Sequence, residues 1–98
     1  MAITQSNALE RRLRTLIVGL MANFDSITLA EIEDKVVEIH NPTTTEDYIA
    51  LFSALATVLT DMLRGGSLII RAITAKVPYR HGGSRRLNIL IGSNTTTN

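Results

Sequence analysis

Every charged residue after position 61 is basic: Arg64, Arg71, Lys76, Arg80, Arg85 and Arg86. Arg80, Arg85 and Arg86 crowd into "PYRHGGSRR" at 78–86, with His81 and Tyr79 among them and Lys76 just before. Cations in one short stretch suit a phosphate chain: each neutralised phosphate releases condensed counterions, and an arginine can also enter a narrow minor groove. Gly82 and Gly83 allow a turn to approach a backbone closely. The competing reading is a solvated turn whose charge keeps a sheet edge from pairing with other chains. Four cations with no acid in one turn favour the phosphate reading.

A second constellation lies upstream. Ser53, Thr57, Thr60 and Arg64 are spaced i, i+4, i+7 and i+11, which is one face of a helix. Small hydroxyls and a terminal guanidinium suit phosphates and base edges. Asp61 sits beside that face and repels phosphate, so the face predicts weak base reading. Arg11, Arg12 and Arg14 offer further phosphate contacts, but in an amphipathic helix they read first as the solvated side, or as partners for an acidic helix of another copy.

Catalytic patterns are sparse. His40 and His81 are isolated and match no metal-ligand spacing such as HExxH. His40 reads as the end of a helix, facing its negative dipole. Glu31, Glu33, Asp34 and Glu38 follow a helical rhythm rather than forming an acid/base pair. The Gly-Gly pairs fit no phosphate-binding loop. The expectation is a chain that is not an enzyme and uses no cofactor and no metal.

Charge is segregated along the chain. The net +1 combines a nearly neutral start, an acidic middle and the basic end. The middle holds Glu31, Glu33, Asp34, Glu38, Glu46, Asp47 and Asp61 against Lys35 alone. Such polarity bears on partners rather than fold. It predicts either mutual neutralisation, within the fold or across a dimer, or an acidic protein partner for the basic end. Ninety-eight residues, 45% of them hydrophobic, fit one domain. There is no cysteine, which suits a reducing compartment. No signal peptide is apparent, and no apolar run reaches the length of a membrane span. A soluble cytoplasmic protein without a membrane partner is expected.

The elements follow from periodicity. Leu9, Leu13, Leu16, Ile17, Leu20 and Met21 make one helical stripe, predicting a helix over 7–22 opened by Asn7 and Glu10. Phe24 and Ile27 read as core anchors, and 26–28 as a short strand. Thr28 and Glu31 form a capping box for a second helix with Leu29, Ile32, Val36 and Ile39 inside. Asn41-Pro42 ends it. Thr43 and Glu46 propose a third start, for a helix reaching Arg64 with Ser53 as a candidate break. Its apolar residues span more than half the circumference, which predicts deep burial or a second chain. Gly65-Gly66 closes it. Two apolar runs, 67–77 and 87–92, predict a hairpin around the basic turn. "SNTTTN" reads as a disordered tail, so the domain is expected over 1–92 with a tail at 93–98.

In "ITLAEIEDKV" (27–36), "ALATVLTDMLRGGSLIIR" (54–71) and "GGSRRLNILI" (82–91) the chain resembles the winged-helix family. The resemblance implies an α+β fold, a winged helix of three helices with a C-terminal β-hairpin wing. It implies duplex DNA as partner and a role as transcriptional regulator or accessory factor. It places DNA contacts on Ser53, Thr57, Thr60, Arg64, Lys76, Arg80, His81, Arg85 and Arg86. A homodimer is the expected assembly, since a closed two-fold is the commonest symmetry. The stretch between the second and third helices is longer than the family's tight turn, and the second helix is acidic. Both weigh against DNA binding, and the acidic second helix together with the broad apolar third helix suits a competing role, a winged-helix interaction or assembly module that binds no DNA. A histone-like nucleoid fold, also helices followed by a basic β-arm, fits less well, because the arm here is short.

Overall fold

A computed structural model describes residues 2–78 and 85–94, with side chains at 8–73 and 89–94. The chain is a mixed α+β domain of three helices and a three-stranded antiparallel sheet. The order is α1 (Ala2–Asn23), β1 (Ser26–Thr28), α2 (Leu29–His40), α3 (Thr45–Arg64), β2 (Leu68–Pro78) and β3 (Arg85–Ser93). The sheet order is β1-β3-β2, so the sheet has a third strand beyond the C-terminal hairpin. β1 pairs Ile27 with Ile91, which joins the N-terminal third of the chain to its C-terminal end.

One core serves all six elements. Leu13 and Ile17 from α1, Ile27, Ile32 and Val36 from β1 and α2, and Leu68 and Ile91 from the sheet surround α3. α3 contributes most, burying Leu51, Ala54, Leu55, Val58, Leu59 and Met62. The single chain therefore covers most of the wide apolar surface of α3. Ile49, 61% exposed, is the large apolar residue left outside.

The helix ends show where local chemistry decides. Thr28 and Glu31 form the expected capping box: the Glu31 N–H donates to the Thr28 hydroxyl (3.1 Å), and the Thr28 N–H donates to the Glu31 carboxylate (3.0 Å). Asn41 ends α2 in the left-handed conformation (φ 50°), an asparagine-tolerated way of leaving the helix before proline. The cap of α3 falls one residue later than expected. Thr44, not Thr43, accepts the Asp47 N–H (3.0 Å), and the Asp47 carboxylate accepts from the Thr43 N–H and hydroxyl (both 3.3 Å). At the other end Gly66 is left-handed (φ 85°). The Ser67 N–H donates to the Met62 carbonyl (2.9 Å) and the Gly66 N–H to that of Leu63 (3.2 Å), which is the Schellman arrangement.

Several expectations need correction. The connection from α2 to α3 is not long: α2 runs to His40 and α3 starts at Thr45, so only the four residues 41–44 join them, the length of a helix-turn-helix turn. α1 begins at Ala2, so Asn7 lies inside the helix rather than capping it. α3 is unbroken at Ser53: the Thr57 hydroxyl bonds the Ser53 carbonyl (3.1 Å) from within a continuous helix. Phe24 is not a core anchor. It follows the last turn of α1, where the chain turns toward β1, and stays 53% exposed. Ile39 is 56% exposed: it stands in the last turn of α2, beyond Val36, the last buried residue of that helix. Ser93 belongs to β3. Asn94 is tied back as well, its backbone N–H to the Ser67 carbonyl (3.1 Å) and its side chain to that of Gly66 (2.8 Å). The rest of the expected tail, 95–98, lies outside the described residues.

Candidate functional site

The polar face of α3 is uncovered. Ser53, Thr57, Thr60 and Arg64 are all exposed, as are Ala50 and Ala56 beside them. Buried positions on the opposite side hold this orientation, since turning α3 would lift Leu55, Val58 and Met62 out of the core. The face is therefore a ridge of small side chains, low enough for a groove-shaped partner to approach the helix closely. Thr57 spends its hydroxyl proton on the Ser53 carbonyl, which leaves its oxygen as an acceptor.

The electrostatics along α3 are graded. Glu46 and Asp47 occupy its first turn and Arg64 its last. Thr43 backbone hydrogen bonding, with further bonds from Thr44 and the Thr43 hydroxyl, holds the Asp47 carboxyl below its ordinary value of 3.8. These bonds favour the ionised carboxylate, which stands at the positive end of the helix dipole. Toward the other end, Asp61 is partly neutralised by Arg14 of α1, 3.8 Å away with both side chains about half exposed. The pair accounts for one of the three α1 arginines and softens the repulsion expected from Asp61.

The ends of β2 and β3 hold the described part of the basic segment. Lys76 stands opposite Leu87, Val77 opposite Arg86 and Pro78 opposite Arg85. The backbone therefore brings Lys76, Arg85 and Arg86 to one end of one hairpin, as their spacing in the sequence suggests. Arg80 and His81 lie outside the described residues, and so does the turn between the strands. The register shifts between Ile70 and Ala72, and again between Thr74 and Lys76. Such bulges sharpen the twist of a strand pair and re-aim its end.

Arg71, in the first of these bulges, is a cation to which spacing assigns no role. Its guanidinium donates to the Ser93 carbonyl (3.2 Å), and its side chain lies over Gly92, where a Cβ would collide with it. The sequence signal is an arginine and a glycine on separate strands, and only the pairing register brings them together. A second surface has no sequence signature. Phe24 lies exposed over a groove of about 550 Å³ shared with Ile27 and Val37 and rimmed by Glu31, Asp34 and Glu38. Lys35 lies in the same rim and pairs with Glu38 (3.2 Å).

Among the described residues no group of three or more His, Cys, Asp or Glu side chains converges as a metal site, and no helix is long and apolar enough to cross a membrane. The fold and site define a class only in outline: a three-helix, three-strand α+β domain with an open polar helix face and a basic hairpin. Comparison with protein-family models, with curated proteins and with solved structures gives no match.

Proposed function

We propose that the protein is a small winged-helix DNA-binding domain of the cytoplasm, acting as a transcriptional regulator or accessory factor and catalysing no reaction. The observation that carries this reading is the uncovered Ser53–Arg64 face of α3, followed directly by a hairpin whose far end bears Lys76, Arg85 and Arg86. The element order, with β1 added to the hairpin in the order β1-β3-β2, is consistent with it. In this reading the C-terminal half of α3 enters the major groove and the hairpin lies along the phosphates. Small hydroxyls discriminate bases weakly, so affinity comes mainly from counterion release and varies little with sequence. Two copies held together would present two such faces to one duplex.

The test is titration with generic duplex DNA across a salt series. The parent is expected to bind at low salt. Replacing Arg80, Arg85 and Arg86 with Ala should weaken binding to every sequence. The log–log salt slope should flatten by about 0.9 for each phosphate that the variant no longer neutralises. No binding at low ionic strength would reject the reading. A second reading, a protein-interaction module, is favoured by the acid-rimmed groove at Phe24. It predicts no duplex affinity and a triple variant indistinguishable from the parent.

A further inference from the structure

Arg14 of α1 and Asp61 of α3 form an ion pair at the edge of the polar face of α3, 3.8 Å apart. Asp61 is the one acid between Asp47 and Arg64. The exposed side chains around it, Thr57, Thr60 and Arg64, are neutral or basic. Core packing brings the two residues side by side. Leu13 and Ile17 flank Arg14 on α1, Val58 and Met62 flank Asp61 on α3, and all four are buried in one cluster. One turn past Arg14, Val18 and then Met21 line a groove of about 410 Å³ together with Met62 and Gly66. This side of α1 therefore borders the C-terminal half of α3.

Both members of the pair pass over a partner closer in sequence. Arg64 stands one turn beyond Asp61 on the same helix, exposed and without an ion pair to a described residue. Glu10 stands one turn before Arg14 on α1 and makes no ion pair with a described residue either. The contact is thus between helices, and it occupies a cation beside the Thr57 and Thr60 hydroxyls. With side chains 47% and 50% exposed, the pair is open to a third charge from solvent. A phosphate arriving at this face meets a like charge in Asp61 and a guanidinium already partly neutralised. Removing the carboxylate alone changes both.

We propose that Asp61 is a brake on phosphate binding at this face and acts by holding Arg14. The brake presupposes the duplex-DNA reading above, and it extends that surface from α3 and the hairpin onto α1. In the parent, Arg14 neutralises Asp61 and no phosphate. With a neutral side chain at position 61 the guanidinium is released to the phosphate chain, and the surface gains one contact.

The test is titration of the full chain with a labelled generic duplex across a salt series, comparing the parent, Asp61→Asn, Arg14→Ala and the double variant. Asp61→Asn should bind about two- to fivefold more tightly at low salt, the scale of an exposed ion pair. Its log–log salt slope should steepen by about 0.9, the value of one added phosphate contact. In the Arg14→Ala background the same substitution should leave the slope unchanged and lose most of the gain. An Arg14→Lys background, which keeps the cation, should keep the steepening. Thermal unfolding of every variant should stay near the parent's, since both positions are exposed. An equal gain with and without Arg14 would reduce Asp61 to one more surface charge and overturn the brake. So would an Asp61→Asn chain that binds as the parent does. Absence of binding by the parent and by Asp61→Asn alike, at low ionic strength, would remove the DNA reading itself and the brake with it.

Discussion

At the scale of single residues, the structure turns on a few positions where backbone conformation or a hydrogen bond dictates the side chain. Gly92 is one, because the Arg71 side chain occupies the space a Cβ would need. Gly92→Ala should destabilise the domain by about 1 kcal/mol, as overpacking at a single methyl commonly does. Arg71→Ala in the same chain should recover most of that deficit, and a double-mutant cycle from urea unfolding measures the coupling. Asp47 is another. Its bonds from Thr43 and Thr44 lower its folded-state pKa, so the ionised form belongs to the capped helix. The cap's contribution is complete above the ordinary carboxylate value of 3.8 and disappears as pH falls below it through the folded value. Thermal unfolding from about pH 5 to about pH 2 should therefore show a component that Asp47→Asn lacks. Capping is partly legible in the sequence. Thr28 and Glu31 are unambiguous because one threonine sits at the right distance from one glutamate. In "TTTED" three adjacent threonines face two adjacent acids, and spacing alone does not tell Thr43–Glu46 from the Thr44–Asp47 pair that forms.

Among the elements, the helices and the hairpin are readable because periodicity is a physical requirement of burying one face. The stripe on α1 packs into or against the core as its spacing selects, and so do Leu51, Leu55, Val58, Leu59 and Met62 on α3, while the buried Ala54 falls outside that selection. What periodicity cannot report is where the core stops. Ile39 and Ile49 continue their helices' apolar pattern yet lie past the edge of the packed layer, so pattern and burial part company at helix ends. The candidate site divides in the same way. The Ser53, Thr57, Thr60 and Arg64 face follows from helical spacing, while the Arg71–Gly92–Ser93 cluster depends on a bulge and a strand register that no local signal encodes. Burial makes the contrast measurable. Ile17→Ala or Leu55→Ala, each opening a cavity at a fully or almost fully buried site, should cost about 2–5 kcal/mol in chemical denaturation. Ile49→Ala, at an exposed position on the same helix as Leu55, should stay within about 0.5 kcal/mol of the parent. Comparable destabilisation at Leu55 and Ile49 would mean that α3 turns a different side to the core.

For the molecule as a whole, charge and connectivity act on different things. The acidic middle and basic end set what approaches the surface, and α1 and α3 are tied across that surface by Arg14 and Asp61. An exposed pair of this kind contributes little to stability. Cohesion comes from the core and from the three-residue β1, which carries Ile27 into the core and pairs it with Ile91 some sixty positions later. β1 therefore couples the two halves of the chain, and the domain should open as one unit rather than shedding its hairpin. Native-state hydrogen exchange tests this directly. Amides of Leu13–Ile17 in α1 and of Leu90–Gly92 in β3 should exchange with the same free energy, equal to that of global unfolding. Ile27→Ala removes a buried side chain without deleting a backbone hydrogen bond, and should lower stability by about 2–5 kcal/mol. If β1 couples the halves, protection in α1 falls by the same amount as protection in β3. If β3 loses protection while α1 keeps it, the sheet is an appendage to a helical core. The open α3 face would then no longer be held rigidly against the basic hairpin.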